Sequence, residues 1–287
     1  MKYAFNTWAY SSFPCWVPSY TLKETIERLA RIGYDGIELG CAQPHAWPYY
    51  LDKNERKEIQ GWLKDNNIVI SSVLAAPGGG PGANVASSIL KERAWTIQHL
   101  KDVIDLGMDL CGCKTLVYVA GWIVYGTPQE DAWQYCLESL VEVGNYAARY
   151  GVNVMIEPTA ADSNLVETAD DALLLMEQSG LSNVFVMFDT AHVFYRNEVP
   201  SDYIYRMDRH LRHIHLTDYN RKAPGTAGCD FVPIMQALID INYDGYVTIE
   251  TGFASRAQHP DSAARLSLSH LKAIETDLMK AAAKRRP

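Results

Sequence analysis

Three features of this 287-residue chain predict a closed (β/α)8 barrel. Short β-rich runs alternate with helical patterns eight times, the signature of repeated βα units on a parallel sheet. The length suits one barrel of about 250 residues. No GxGxxG follows the first strand, which argues against an open doubly wound sheet. The chain is therefore read as one barrel domain over 1–287, with no linker or low-complexity segment.

Taken in order, the first strand covers 3–7, with Asn6 and Trp8 at its end. A helix over 20–32 carries Leu22, Ile26, Leu29 and Ala30 at near-3.6 spacing, and Gly33 stops it. Strand 36–40 leads to a helix over 53–66, and strand 68–75 runs into the glycine-rich loop Ala76 to Gly82 on the active-site side. The helix over 86–107 stops at Gly107 before strand 114–119, and the helix over 128–150 stops at Gly151 before strand 152–157. Then come helix 167–179, strand 183–189, helix 199–208, strand 211–217, helix 230–241, strand 245–251 and helix 258–283. The polar tail from Lys280 is expected to fray.

Composition narrows the function. Hydrophobic residues make up 48% of the chain, enough for a large core. The formal charge of -8 argues against a nucleic-acid binder, which needs a basic face. The start, MKYAFNTWAY, shows no signal peptide, and the longest apolar run, 116–126, falls short of the ~20 residues that span a bilayer. Six cysteines (Cys15, Cys41, Cys111, Cys113, Cys136, Cys229) form no CxxC and are read as reduced, so a cytoplasmic protein without membrane partners is expected.

The chemistry is carried by strand parity. Side chains alternate between the two faces of a strand. In VNVMIEP, Val152, Val154 and Ile156 share one face and Glu157 lies on the other. Asp189 in VFVMFDTAH, His215 in RHIHLTD and Glu250 in YVTIET likewise oppose aliphatic faces. All four sit at or near C-terminal strand ends, where barrel active sites form. Three carboxylates and one imidazole suit Mn²⁺, and also Mg²⁺ or Co²⁺. A divalent ion chelated by a carbonyl and its neighbouring hydroxyl would acidify the C–H between them and stabilise an enediolate. Glu157 and Glu250, from strands roughly across the barrel, could then exchange protons on opposite faces of that plane. A metal-free glycosidase with the two glutamates as its carboxylate pair is the competing chemistry.

At these residues the chain resembles the xylose isomerase-like barrels, and within them the ketose 3-epimerases. The resemblance rests on IEP at 156–158, FDTAH at 188–192, HIHLTD at 213–218 and GYVTIE at 245–250. GYDGIELGCAQPHAW at 33–47 and the EPxxxxxSN pattern from Glu157 to Asn164 look like fructoselysine 3-epimerase. The resemblance implies Glu157, Asp189, His215 and Glu250 as ligands of a divalent metal, usually Mn²⁺. It implies Glu157 and Glu250 as the proton-transfer pair, acting on a sugar. His192 and Arg221 fall where the family contacts substrate. The family also implies a homo-oligomer, a dimer or a tetramer. One departure stands out: ketohexose epimerases carry a further Glu at the position of Ser163, so a modified ketose or other polyol is favoured. On the same fold, an aldose–ketose isomerase or an inosose-type dehydratase is the alternative, and an endonuclease IV-like nuclease a more distant one.

Trp8 and His45 are added as candidate walls of the sugar pocket, with Trp47 beside His45. His213 shares the inner face with His215 one layer deeper and is read as a hydrogen-bonded core residue. His99, His210, His259 and His270 are read as surface positions. A phosphate, if the substrate had one, would find Arg221, Lys222 or Arg256.

Overall fold

The strand-helix order closes on itself. The computed structural model describes residues 1–11, 19–75, 83–252 and 259–285. The glycine-rich segment 76–82, Cys15 and Arg256 lie outside them. The elements run β1 (Lys2–Asn6), α1 (Leu22–Ile32), β2 (Gly36–Cys41), α2 (Lys53–Asp65), β3 (Val69–Ala75), α3 (Leu90–Cys111), β4 (Thr115–Val119) and α4 (Gln129–Ala148). They continue as β5 (Asn153–Glu157), α5 (Ala169–Ser179), β6 (Val184–Asp189), α6 (Thr190–Tyr195), α7 (Pro200–Met207), β7 (Leu211–Leu216), α8 (Val232–Asp240), β8 (Tyr246–Ile249) and α9 (Pro260–Arg285). Every strand pairs in parallel with its sequence neighbours, and β8 returns to β1, which makes a (β/α)8 barrel.

Local signals account for several boundaries. Capping boxes start α1 (Thr21 with Glu24), α2 (Asp52 with Glu55) and α5 (Thr168 with Asp171). Three expectations need correction. Gly107 does not end α3, which continues to Cys111; a Cβ at Gly107 would meet Val73 at 3.0 Å, so this glycine lets the helix lie close on β3. After β6 a short α6 precedes the expected helix, because Asp189 caps it by accepting the Ala191 N–H. The tail stays helical through Arg285.

Parity holds in the packing. The outward residues of the strands join the helices in one large buried cluster, which includes Val154, Val186, Ile214 and Val247. A second, smaller cluster fills the barrel interior: Leu74, Val117, Met155 and Met187, with Trp8 and Phe185 against them. The interior is thus divided. Short of the strand ends, β4–β6 turn apolar side chains inward, whereas β7, β8, β1, β2 and β3 present His213, His215, Thr248, Asn6, Glu38 and Ser72, all buried. Among the described residues, the five cysteines are free and no helix is long and apolar enough to cross a membrane.

Candidate active site

Glu157 ends β5, Asp189 ends β6, His215 lies in β7 and Glu250 follows β8. Their ligand atoms all lie within 4.8 Å of one another. His215 Nδ1 is 3.4 Å from Glu157 Oε1 and 3.2 Å from Glu250 Oε2. Ligand atoms held at about 2.1 Å by one ion stand roughly 3.0–3.5 Å apart, so these spacings suit coordination. His215 Nδ1 and Asp189 Oδ2 are buried and have no hydrogen-bond partner, a costly condition that an ion would relieve. The donor set, three hard oxygens and one imidazole nitrogen, fits a divalent cation.

Arg221 enters from the loop after β7. Its Nη1 donates to Glu250 Oε2 at 2.9 Å and lies equally close to Asp189 Oδ2, although its N–H is not aligned with that oxygen. Asn220 and Arg221 have φ of 58° and 54°, left-handed values uncommon for side-chain-bearing residues. Buried Asp218 holds the loop by accepting N–H groups from Tyr219, Gly225, Thr226, Ala227 and Cys229. His192, in α6, accepts the Ala161 N–H at Nδ1, so the neutral ring carries its proton on Nε2. That nitrogen lies 3.3 Å from Arg221 Nη2, 3.8 Å from Asp162 Oδ2 and 4.0 Å from Asp189 Oδ2. Ser163 turns away and donates to the Gly121 carbonyl. The carboxylate that this loop offers the His192–Arg221 pair is therefore Asp162, one residue earlier.

The charges polarise each other strongly. Burial, aided by Glu250, pushes the Asp189 carboxyl up to about 6 against the pull of Arg221, His192 and His215. Burial also disfavours ionised Glu250, but His215 and Arg221 outweigh it and hold that group at about 2. Burial disfavours a charged His215, yet Glu38 and Glu250 raise its pKa well above the ordinary value. Glu38, against the effect of burial, is held well below the usual carboxylate range by His215 and His213.

Of the other expected positions, Trp8 lies beside the site on the apolar half of the interior. Its indole covers Gly40, where a Cβ would fall 1.9 Å from Nε1. His45 is buried, with Nε2 on the Tyr20 carbonyl, and borders a groove between α1 and α2. No hydrogen bond or ion pair among the described residues ties it to the four ligands. His213 is buried and bonded to Glu38. His99 corrects the surface reading: it is 1% exposed and stacked on Trp95 at 5.1 Å, with Trp47 at 4.8 Å. Glu38 itself escaped the sequence reading. The parity test applied to GIELG would have found it, since Ile37 and Leu39 point outward and Glu38 inward.

Comparison with known proteins agrees with this fold. The family model described as xylose isomerase-like TIM barrel matches residues 26–274. Fructoselysine 3-epimerase of Shigella flexneri is 26% identical over 268 residues, 91% of this chain and 96% of its own. D-psicose 3-epimerase of Ruminiclostridium cellulolyticum is 31% identical over 245 residues, 82% of this chain and 79% of its own. The crystal structure of D-psicose 3-epimerase with D-tagatose from Clostridium cellulolyticum H10 superposes with a TM-score of 0.83 at 22% identity, covering 96% of this chain and 99% of that one. On the fold and these likenesses, the chain belongs to the xylose isomerase-like TIM barrel family, as an enzyme of the isomerase class.

Proposed function

We propose that the protein is a divalent-metal-dependent epimerase that inverts the carbon next to the ketone of a ketose, C3, or of an amine-modified ketose. The observation that carries this reading is that Glu157 and Glu250, from β5 and from the end of β8, both reach His215 Nδ1, at 3.4 and 3.2 Å. Glu157, Asp189, His215 and Glu250 would hold the ion, with Mn²⁺ the first choice and Mg²⁺ or Co²⁺ compatible. When bound, the ion supplies Lewis acidity toward a ketone and its neighbouring hydroxyl. One glutamate, as carboxylate, takes the proton from C3. The other, as carboxylic acid, gives a proton to the opposite face of the planar carbon. The C–H bond breaks on one side and forms on the other, so the product has the substrate's mass and the inverted centre. The Nε2–H of His192 and the Arg221 guanidinium donate to sugar oxygens and fix the face presented. Trp8 offers an apolar surface to the sugar's carbon skeleton. Asp162, beside that donor pair and 60% exposed, would accept from a hydroxyl or ammonium on the substrate's distal part, which supports a modified ketose. A dimeric or tetrameric assembly accompanies this reading by family likeness, and light scattering in solution tests it.

The reading is tested by incubating Mn²⁺-loaded protein in D₂O with free ketoses, amine-modified ketoses and inosose, with products read by NMR. Deuterium at C3 with inversion is the expected result. Deuterium at C1 with an aldose product would make the enzyme an aldose–ketose isomerase, and loss of water would make it a dehydratase. Metal uptake without exchange in any sugar of the panel would overturn the ketose assignment.

A further inference from the structure

We infer that Glu38 is a positioning residue for the reaction: it accepts the Nε2 proton of His215 and so aims the Nδ1 lone pair at the space between Glu157, Asp189 and Glu250. This rests on the metal-dependent reading above and extends it to a residue one layer deeper in the barrel. Glu38 lies in the middle of β2 and is wholly buried. A carboxylate there is tolerable only with its oxygens satisfied. Asn6 Nδ2 donates to Oε1 at 2.8 Å and Ser72 Oγ to Oε2 at 2.7 Å. His213 Nε2 is 2.8 Å from Oε2, and His215 Nε2 lies 2.8 Å from Oε1 and 3.0 Å from Oε2.

Glu38, His213 and His215 are all metal-ligand types and also cluster. Their direct contacts of 2.8–3.0 Å are nevertheless hydrogen-bond lengths. They leave no room for an ion, whose ligands would spread to roughly 3.0–3.5 Å. The two nitrogens of His215 therefore divide their work. Nε2 carries the proton that Glu38 accepts, and Nδ1 is left as a donor atom. The carboxylate cannot swing away, because His213 holds the same oxygen as Ser72. Asn6 is fixed too: its Oδ1 accepts the Trp8 N–H, which turns Nδ2 toward Glu38 and toward Glu250 Oε1 at 3.3 Å. Glu38 thus reaches two of the four ligands, His215 directly and Glu250 through Asn6.

The test uses Glu38→Gln, which keeps the side-chain volume but places an amide N–H₂ where an oxygen was. Mn²⁺ alone is the probe, with binding read from the EPR signal of the free ion and folding from circular dichroism. The folded variant is expected to bind Mn²⁺ about 10–100-fold more weakly than wild type. Equal affinity, with wild type binding normally, overturns the positioning role and leaves the metal reading standing. No Mn²⁺ uptake by wild type overturns both. Long-range ¹H–¹⁵N spectra of the Mg²⁺-loaded wild type decide the question should Glu38→Gln not fold. The His215 signal, identified by its loss in His215→Asn, is expected to show the proton on Nε2, and a proton on Nδ1 overturns the inference.

Discussion

Glu157 and Glu250 are chemically alike but differently furnished. Glu250 accepts from Arg221 and Asn6, whereas Glu157 has His215 Nδ1 as its neighbour at 3.4 Å. Replacing either by glutamine removes the proton carrier and keeps the shape. Glu157→Gln and Glu250→Gln are each expected to retain less than about a tenth of turnover, a loss of at least about 1.4 kcal/mol, with an unchanged circular dichroism spectrum. Retention above that level in steady-state assays rejects the proton-transfer role. His99 gives a prediction of opposite character. Burial among Trp47, Tyr49 and Trp95 lowers its pKa, with Asp102 opposing. A base whose folded pKa is depressed stabilises the fold fully above its unfolded pKa of about 6.5, and that stability is lost as pH falls toward the folded value. His99→Phe should therefore gain relative to wild type as pH drops below about 6.5, in paired thermal melts; a constant difference counts against it. The clustering of the four candidate ligands was legible because each sits at or near the C-terminal end of a strand whose opposite face is aliphatic. His99 was not, because its aromatic neighbours Trp47 and Tyr49 come from the loop after β2, some fifty residues away in sequence.

At the scale of elements, β2 carries more than its sequence announces. Gly36, Glu38 and Gly40 form its inner edge. Gly40 is small because the Trp8 indole lies on it. Gly40→Ala is expected to displace that ring, destabilising the protein by about 1–3 kcal/mol and shifting tryptophan fluorescence. An unchanged emission spectrum and melting temperature would show that the 3₁₀ turn Thr7–Tyr10 absorbs the methyl group without cost. Helix existence followed from apolar spacing such as Leu22, Ile26 and Leu29 and from stops such as Gly33. Other helix ends did not: Gly107 has the composition of a stop and the role of a packing contact with Val73. The short α6 was hidden because its cap, Asp189, is also a ligand candidate, and one residue read for chemistry was not read for structure.

The whole molecule gathers Glu38, Glu157, Asp189 and Glu250 around Arg221 and His215, so negative charge is in excess at the mouth. A divalent ion would offset it and bind the native chain alone. Mn²⁺ at 100 times its dissociation constant is expected to add about 2.7 kcal/mol of stability, seen as a higher melting temperature than in EDTA. Identical melts in Mn²⁺ and EDTA would sink the metal reading.

The polar half of the interior straddles the seam where β8 meets β1. Its hydrogen bonds join residues far apart in the chain: Asn6 to Glu250 spans 244 positions, and His215 to Glu38 spans 177. A ribosome delivers the first of these partners long before the last. Until residue 250 has emerged and the final strand has docked, Glu250 is missing from the set and Asn6 has only Glu38 as its partner, so the four-residue cluster is incomplete on the growing chain. On the metal-dependent reading, the nascent protein therefore lacks one of the four proposed ligands until the ring closes, and full-strength ion binding during synthesis would mark that moment.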